Sequence, residues 1–279
     1  MGTLMDVSAL NARMASGQRT VLLDVRWALG DPDGRAHYLR EHIPGAVYVD
    51  LPTELAEPAE PARGRHPLPP AEKLQGAARR WGVCEGDTVV AYDDAGSTSA
   101  ARLWWMLRNA GFGTAYLLDG GLPAWRRAGF PLRGGLEQAA PGDVTLTGGG
   151  MPVIDAAEAA GWAARGVLLD ARAGERYRGE IEPVDPRAGH IPGAVSAPTT
   201  GNLDDVGRFL PTEELRVRFA RLGVDAATPT AVYCGSGVTA AHEIAALEIA
   251  GFSAALFPGS FSEWSNDASR PVATGPEPG

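Results

Sequence analysis

Val21-Leu-Leu-Asp-Val-Arg26 returns later in the chain as Val167-Leu-Leu-Asp-Ala-Arg172, and the stretches downstream return in the same order. His42-Ile-Pro-Gly-Ala-Val47 is matched by His190-Ile-Pro-Gly-Ala-Val195, and Val89-Val-Ala-Tyr-Asp93 by Thr230-Ala-Val-Tyr-Cys234. Tyr116-Leu-Leu-Asp-Gly-Gly121 corresponds to Ala255-Leu-Phe-Pro-Gly-Ser260, and the closing tryptophans correspond too, Trp125 to Trp264. A fixed order of elements met twice is the mark of a tandem duplication, here of a unit of roughly 130 residues. The expected division is a first domain over 1–135, a linker over 136–150 and a second domain over 151–279. Gly, Pro, Gln and Ala dominate the linker, as in flexible connections.

Within each copy, short β-rich runs alternate with stretches of helical period. That alternation predicts an α/β domain, a small and largely parallel sheet flanked by helices. In the first copy Asp6 can cap a helix over about 7–16, and strands are expected at 21–26, 46–49, 88–92 and 115–118. Ala100-Ala-Arg-Leu-Trp-Trp-Met-Leu107 reads as a buried helix. Two segments read as irregular. Leu55 to Pro70 is a Pro/Glu/Ala-rich surface loop that carries Gly64-Arg65-His66, and the tail from Arg270 is expected to be loosely ordered.

The 279 residues are 44% hydrophobic and 21% charged, a globular balance that favours neither disorder nor a fibrous class. The formal net charge is −9 and Lys73 is the single lysine among the basic residues, so no nucleic-acid partner is expected. No apolar run reaches the length of a membrane span, and Met1 to Ala15 lacks the basic start and apolar block of a signal peptide. The expectation is a cytoplasmic protein with no membrane partner. Two cysteines, Cys84 and Cys234, are too few for a disulfide framework and fit a reducing compartment. Cys84, inside Trp81-Gly-Val-Cys-Glu-Gly-Asp87, reads as a small buried hydrophobe.

Cys234 reads differently. It ends an apolar strand and opens Gly235-Ser-Gly-Val-Thr239, which turns into a helical pattern reaching Gly251. The first N–H groups of a helix have no intrahelical partners and carry the positive end of its dipole, so they can surround an anion. A thiol set there is poised to react as the thiolate, its nucleophilic form. The first copy has Asp93-Asp-Ala-Gly-Ser-Thr98 at the same place. Aspartate is no sulfur nucleophile, so the first copy is expected to be catalytically inactive. His42, His190, Asp24 and Asp170 recur in both copies, including the one without the cysteine, and are read as structural. The five histidines are scattered and neither cysteine has partners at zinc spacing, so no metal and no organic cofactor is expected.

Taken together, the paired Leu-Leu-Asp-Xaa-Arg and His-Ile-Pro-Gly-Ala elements, the loop Cys234-Gly-Ser-Gly-Val-Thr-Ala240 and the closing Gly259-Ser-Phe-Ser-Glu-Trp264 resemble the two-domain rhodanese-type sulfurtransferases. The resemblance implies two rhodanese-like domains with Cys234 as the catalytic residue. In that family the cysteine takes a sulfane sulfur from a small donor as a persulfide and hands it to a thiol, a thioredoxin-like protein or cyanide. The resemblance makes Gly235, Ser236, Gly237, Val238, Thr239 and Ala240 the loop that holds the persulfide or anion through its N–H groups. Within the family, Arg-Lys after the cysteine goes with thiosulfate, whereas Gly235-Ser236 is similar to the 3-mercaptopyruvate enzymes. A mercaptopyruvate donor brings a carboxylate, for which the arginine fork is suited. Arg176 matches the family's first substrate arginine; Arg187 is the expected second, with Arg178 as runner-up. His66 falls near the position of a histidine that reaches the loop serine, here Ser236. Pro52 stands where its accompanying acidic residue is expected, with Asp50 close by.

Thiosulfate:cyanide transfer is the alternative activity, and a non-catalytic sulfur-carrier docking module a third reading. A cysteine-dependent phosphatase or arsenate reductase would need an arginine about six residues after the nucleophile to stabilise the transition-state oxyanion. Ala240 stands there.

Overall fold

The computed structural model describes residues 2–279, and the chain folds into two compact units. The first comprises Met1–Ala56, Pro69–Met151 and Asp204–Phe209; the second comprises Glu57–Leu68, Pro152–Leu203 and Leu210–Gly279. Each unit thus takes a short segment from the other half of the duplicated sequence. Glu57–Leu68, expected as a surface loop of the first copy, belongs to the second unit.

The first unit is built on five parallel strands, β1 (Leu4–Met5), β2 (Thr20–Asp24), β3 (Val47–Tyr48), β4 (Thr88–Tyr92) and β5 (Ala115–Leu118). They lie in the order β1-β5-β4-β2-β3. The central strands are continuous apolar runs, as parallel strands covered on both faces require. Asp6 caps the helix Val7–Ala15 as the sequence predicts, accepting the N–H groups of Ser8 and Ala9 at 2.9 Å each. The helix Ala100–Asn109 is buried from Ala100 through Leu107. The stretch expected as a free linker is held along this unit instead. Gly142 N–H donates to Arg79 O at 2.8 Å and Val144 N–H to Val83 O at 3.2 Å. Val144 and Leu146 are buried, and these two alternating apolar side chains give the segment an inward face.

The second unit repeats the plan with β6 (Val167–Asp170), β7 (Ala194–Ser196), β8 (Thr230–Tyr233) and β9 (Ala255–Leu256), parallel and ordered β7-β6-β8-β9. Trp162, Leu168, Tyr177, Ile191, Phe257, Phe261 and Trp264 meet in its core.

The repeated motifs turn out to be one fastening used twice. At the end of β6 the Asp170 carboxylate receives the Arg172 guanidinium at 2.6 Å, both side chains buried, and Arg172 also donates to Gly189 O at 2.6 Å. In the first unit Asp24 and Arg26 do the same at 2.8 Å, with Arg26 donating to Glu41 O at 2.6 Å. Gly189 and Glu41 immediately precede the two histidines. His190 stacks on Tyr177 at 3.8 Å between centroids, with its Nδ1 2.8 Å from Tyr177 O; His42 does likewise on Tyr38 at 4.1 Å and 2.9 Å. The N–H groups of Ile191 and Ile43 then donate to the hydroxyls of Tyr233 and Tyr92, each at 3.1 Å. The tail beyond Arg270 is not loose: Ala273 pairs with His190 in both directions at 2.8 and 3.0 Å, and Gly193 N–H donates to Pro278 O. A segment without helix or strand of its own is ordered here because its backbone completes the hydrogen bonding of the histidine loop.

Within the helix Thr239–Ile249, Glu243 is fully buried. One carboxyl oxygen accepts Asn202 Nδ2–H at 2.6 Å, and the other has no partner among the described residues. Burial pushes this carboxyl up to about 7, against the pull of Arg218. A carboxyl whose folded pKa is raised contributes stability that is fully present below its unfolded value near 4.5 and is lost as pH rises through about 7. Glu243→Gln should therefore melt higher than the parent at pH 8, by the equivalent of about 2 kcal/mol, with the gap closing toward pH 5. Parallel melting profiles across that range would dismiss the effect. For the fastening, Asp170→Asn takes the nearer carboxylate from buried Arg172 and leaves it Glu182 at 3.5 Å, and urea unfolding should report a loss of roughly 3 kcal/mol. A loss under about 1 kcal/mol would mean the pair is dispensable.

Candidate active site

Cys234 follows β8 directly and is almost wholly buried, at 1% exposure. Its loop is stapled to the start of the helix Ser260–Asn266. Cys234 N–H donates to Ser260 Oγ at 3.1 Å, Phe261 N–H to Cys234 O at 3.0 Å, and Ser262 N–H to Gly235 O at 2.9 Å. Ser260 takes a left-handed φ of 53°, an uncommon choice for a residue with a side chain, and its hydroxyl is what meets the Cys234 amide. Gly237 N–H points at the sulfur, 3.1 Å from Sγ.

The first unit shows what this turn is built to hold. There Asp93 occupies the cysteine's position, and its carboxylate accepts four backbone N–H groups, from Ala95 at 2.9 Å, Ser97 at 2.8 Å, Ser99 at 2.8 Å and Ala100 at 2.9 Å. Burial pushes this carboxyl up while the four donors pull it back. The turn is an anion cradle that Asp93 fills with its own side chain. In the second unit the counterparts of three of those donors, the N–H groups of Ser236, Val238 and Ala240, have no acceptor among the described residues. The shorter cysteine side chain does not take up these donors as the Asp93 carboxylate does.

Side chains from two further segments converge on Gly235. A Cβ at this residue would sit 2.8 Å from Arg65 Nη2 and 3.4 Å from Arg176 Nη1, so both guanidiniums lie close against this glycine. Arg176 comes from the short helix Gly174–Tyr177 and is bound to Glu182 at 2.7 Å and to Asp185 at 3.0 Å. Arg65 pairs with the other oxygen of Asp185. Burial pushes the Asp185 carboxyl up, with Arg65 pulling it back. For Glu182 the bonds from Arg176 and from the Asp185 and Val184 amides outweigh burial and hold it below the usual carboxylate range.

The segment that delivers Arg65 also delivers His66, whose Nδ1 lies 2.8 Å from Ser236 Oγ. Gly64 makes this approach possible. Its φ is +84°, and a Cβ there would come within 2.5 Å of Gly259 O. Arg65 N–H then donates to Ser262 Oγ at 3.1 Å, which fixes the segment on the same turn that staples the cysteine loop.

Arg176 and His66 thus lie beside the Cys234 loop as the sequence led us to expect. Arg187 does not. Its guanidinium donates to the carbonyls of Trp264, Ser265, Asp267 and Arg270 at 2.7 to 3.0 Å, closing the C-terminal end of the last helix, where four acceptors absorb its donors. Arg178 pairs with Glu180 at the surface. Asp50 accepts the hydroxyl of Thr53 and donates its N–H to Glu54. Sequence reasoning missed Arg65, although Gly64-Arg65-His66 stood out within its Pro-rich surroundings. No group of three or more His, Cys, Asp or Glu side chains able to hold a metal exists among the described residues. No helix among them is long and apolar enough to cross a membrane.

Residues 6–128 and 154–267 each match the rhodanese-like domain. The chain is 46% identical over 277 residues to "Putative thiosulfate sulfurtransferase SseB" of Mycobacterium tuberculosis, covering 98% of this chain and 97% of that protein. It is also 46% identical over 279 residues to "Probable 3-mercaptopyruvate sulfurtransferase" of Pseudomonas aeruginosa, covering 98% of each. To human 3-mercaptopyruvate sulfurtransferase it is 37% identical over 265 residues, 92% of this chain and 88% of that one. The crystal structure of SseA from Escherichia coli, one of the 3-mercaptopyruvate sulfotransferases, superposes with a TM-score of 0.82 at 31% identity, covering 93% of this chain and 99% of that chain. With both halves matched and the fold shared along nearly the whole length, the chain belongs to the rhodanese-like family in its two-domain form.

Proposed function

We propose that this protein is a sulfurtransferase that moves a sulfane sulfur from 3-mercaptopyruvate to a thiol or cyanide acceptor through a persulfide on Cys234. The observation that carries the reading is the open cradle of N–H groups around Cys234, which in the first unit embraces the carboxylate of Asp93. A persulfide anion carries its charge on the outer sulfur, one atom beyond the thiol, and backbone donors can hold it with no side-chain cation on the loop.

In the first half-reaction the Cys234 thiolate attacks the donor's sulfur. An S–S bond forms, the donor's C–S bond breaks, and the electron pair leaves on carbon as the enolate of pyruvate. That carbon takes a proton, and His66 Nδ1 with Ser236 Oγ, 2.8 Å apart, forms a pair able to supply it. In the second half-reaction the acceptor thiolate, or cyanide, attacks the outer sulfur and Cys234 departs as thiolate. Arg176 faces Gly235 and is suited to hold the donor's carboxylate. The first unit lacks a nucleophile at the equivalent position and serves as scaffold. Both cysteines are free thiols, which fits a cytoplasmic setting and a small thiol or thioredoxin-like acceptor.

Thiosulfate is the second reading for the donor, because one relative at 46% identity bears that name. Against it stands the neutral Gly235-Ser236, which brings no fixed charge of its own to a dianion.

Brief incubation with 3-mercaptopyruvate should add one sulfur atom, about 32 Da, to the intact mass; cyanide should remove it, and Cys234→Ser should never acquire it. Absence of the adduct with both donors would end the sulfurtransferase reading. His66→Ala should slow turnover of mercaptopyruvate by on the order of a hundredfold and that of thiosulfate much less, since departing sulfite needs no proton. Equal losses in steady-state kinetics with the two donors would remove the pair from proton transfer.

A further inference from the structure

The first unit has a polar pocket of about 190 Å³ beside the turn that Asp93 fills. Tyr38 stacks on His42 as Tyr177 does on His190, so Arg26 is the counterpart of Arg172, His37 that of Arg176 and Asp94 that of Gly235. All three line the pocket. Gly34 lets the helix Gly34–Arg40 close on it, because a Cβ there would collide with Arg26 O. The Asp93 carboxylate already occupies the backbone donors behind, so what the pocket offers a ligand is side-chain charge.

Most of that charge is paired. Asp24 holds Arg26 at 2.8 Å, and Glu41 holds Arg126. Arg40 donates to His37 Nδ1, and since a guanidinium cannot accept, that nitrogen is the unprotonated one. His37 Nε2–H then donates to Asp31 at 3.0 Å, which leaves the ring neutral between Arg40 and Asp31. Asp94 is the exception. Its carboxylate has no hydrogen bond among the described residues, and its ion pair, with Arg26 Nη1, is 4.0 Å long. Arg26 is only 4% exposed, and Nη1 is the nitrogen that neither Asp24 nor Glu41 O engages. In the second unit the same nitrogen of Arg172 is covered by Glu182 at 3.5 Å.

A carboxylate without a close partner and a spare donor of a buried guanidinium therefore lie side by side, with exposed Arg40 at the rim. A ligand that offsets Asp94 needs a cation, one that satisfies Arg26 Nη1 needs an acceptor next to it, and the remaining pairs call for no net charge. An ammonium and a carboxylate on one carbon meet these demands. At about 30 Å³ for each water-sized group, the volume admits roughly six non-hydrogen atoms. We propose that the first unit carries a second, non-catalytic binding site for a small α-amino acid, with its ammonium on Asp94 and its carboxylate on Arg26 Nη1 and Arg40. The copy without a nucleophile thus keeps a pocket for recognition alone, and the site makes no use of Cys234 or of the sulfur donor.

Calorimetric titration of the full-length protein with L-alanine and L-serine tests this, beside propionate, which lacks the ammonium, and ethylamine, which lacks the carboxylate. Both amino acids should bind, and the two fragments should be weaker by about tenfold or more. Asp94→Asn should weaken L-alanine by about tenfold and Arg40→Met by about fivefold, whereas Cys234→Ser should leave its affinity unchanged. Asp94 is 45% exposed and Arg40 lies at the surface, so neither substitution opens the core. L-alanine should also raise the melting temperature of the parent but not that of Asp94→Asn. The assignment is overturned if neither amino acid binds at millimolar concentration, if propionate binds as tightly as L-alanine, or if Asp94→Asn leaves L-alanine affinity unchanged. Loss of L-alanine binding in Cys234→Ser would place the ligand at the catalytic turn and overturn it equally.

Discussion

A negative charge needs partners at the carboxyl end of the strand that precedes the turn, and the backbone there supplies them. In the first unit the carboxylate of Asp93 takes four N–H groups and the turn is complete. In the second unit the cysteine is shorter, one N–H reaches its sulfur, and the amides of Ser236, Val238 and Ala240 have no acceptor among the described residues. The same scaffold is self-satisfied in one copy and receptive in the other. Everything around the second turn keeps it receptive: Ser260 in its left-handed conformation holds the cysteine amide, and the start of the last helix holds the carbonyls of Cys234 and Gly235. A turn pinned at that many points cannot relax to satisfy its own amides, which is the pre-organisation that anion binding draws on.

The charges beside the turn follow a different logic. The chain is acidic overall, yet two arginines lie over Gly235 with two carboxylates behind them. Guanidiniums facing one another over a glycine would repel, and Asp185 and Glu182 remove that cost while orienting both. The result is a pair of exact orientations with little net charge. In the proposed reaction backbone dipoles serve the nucleophile and side-chain cations the donor, so a persulfide and a donor carboxylate would not compete for the same groups.

Much of the fold was legible because duplication let one half be checked against the other. The alternating apolar runs gave the parallel strands, Asp6 gave the first helix, and the difference between Asp93 and Cys234 separated scaffold from chemistry. The recurrence of Asp24, Asp170, His42 and His190 in both copies pointed to structure, and each proved to belong to the fastening around the His-Ile-Pro-Gly-Ala loop. The irregular segments were harder. The 136–150 stretch and the tail from Arg270 carry Gly and Pro and have no period, yet both are ordered by backbone hydrogen bonds to loops distant in sequence. Composition reports the absence of local structure and is silent on partners elsewhere in the chain.

What the sequence determined by itself was therefore the repeat, the α/β class, the candidate nucleophile and the neutral loop behind it, because each of these depends on residues adjacent in the chain or repeated at a fixed order. What only the tertiary structure decided was which arginines meet over Gly235. Arg187 and Arg65 are alike as sequence, both arginines near a histidine in a Gly/Pro-rich stretch. The difference is that Arg187 finds four carbonyls at a helix end, whereas Gly64 lets the backbone bearing Arg65 lie against Gly259 and brings its guanidinium to Asp185. A long flexible side chain goes where its donors are satisfied, and that depends on acceptors set in place by the fold as a whole.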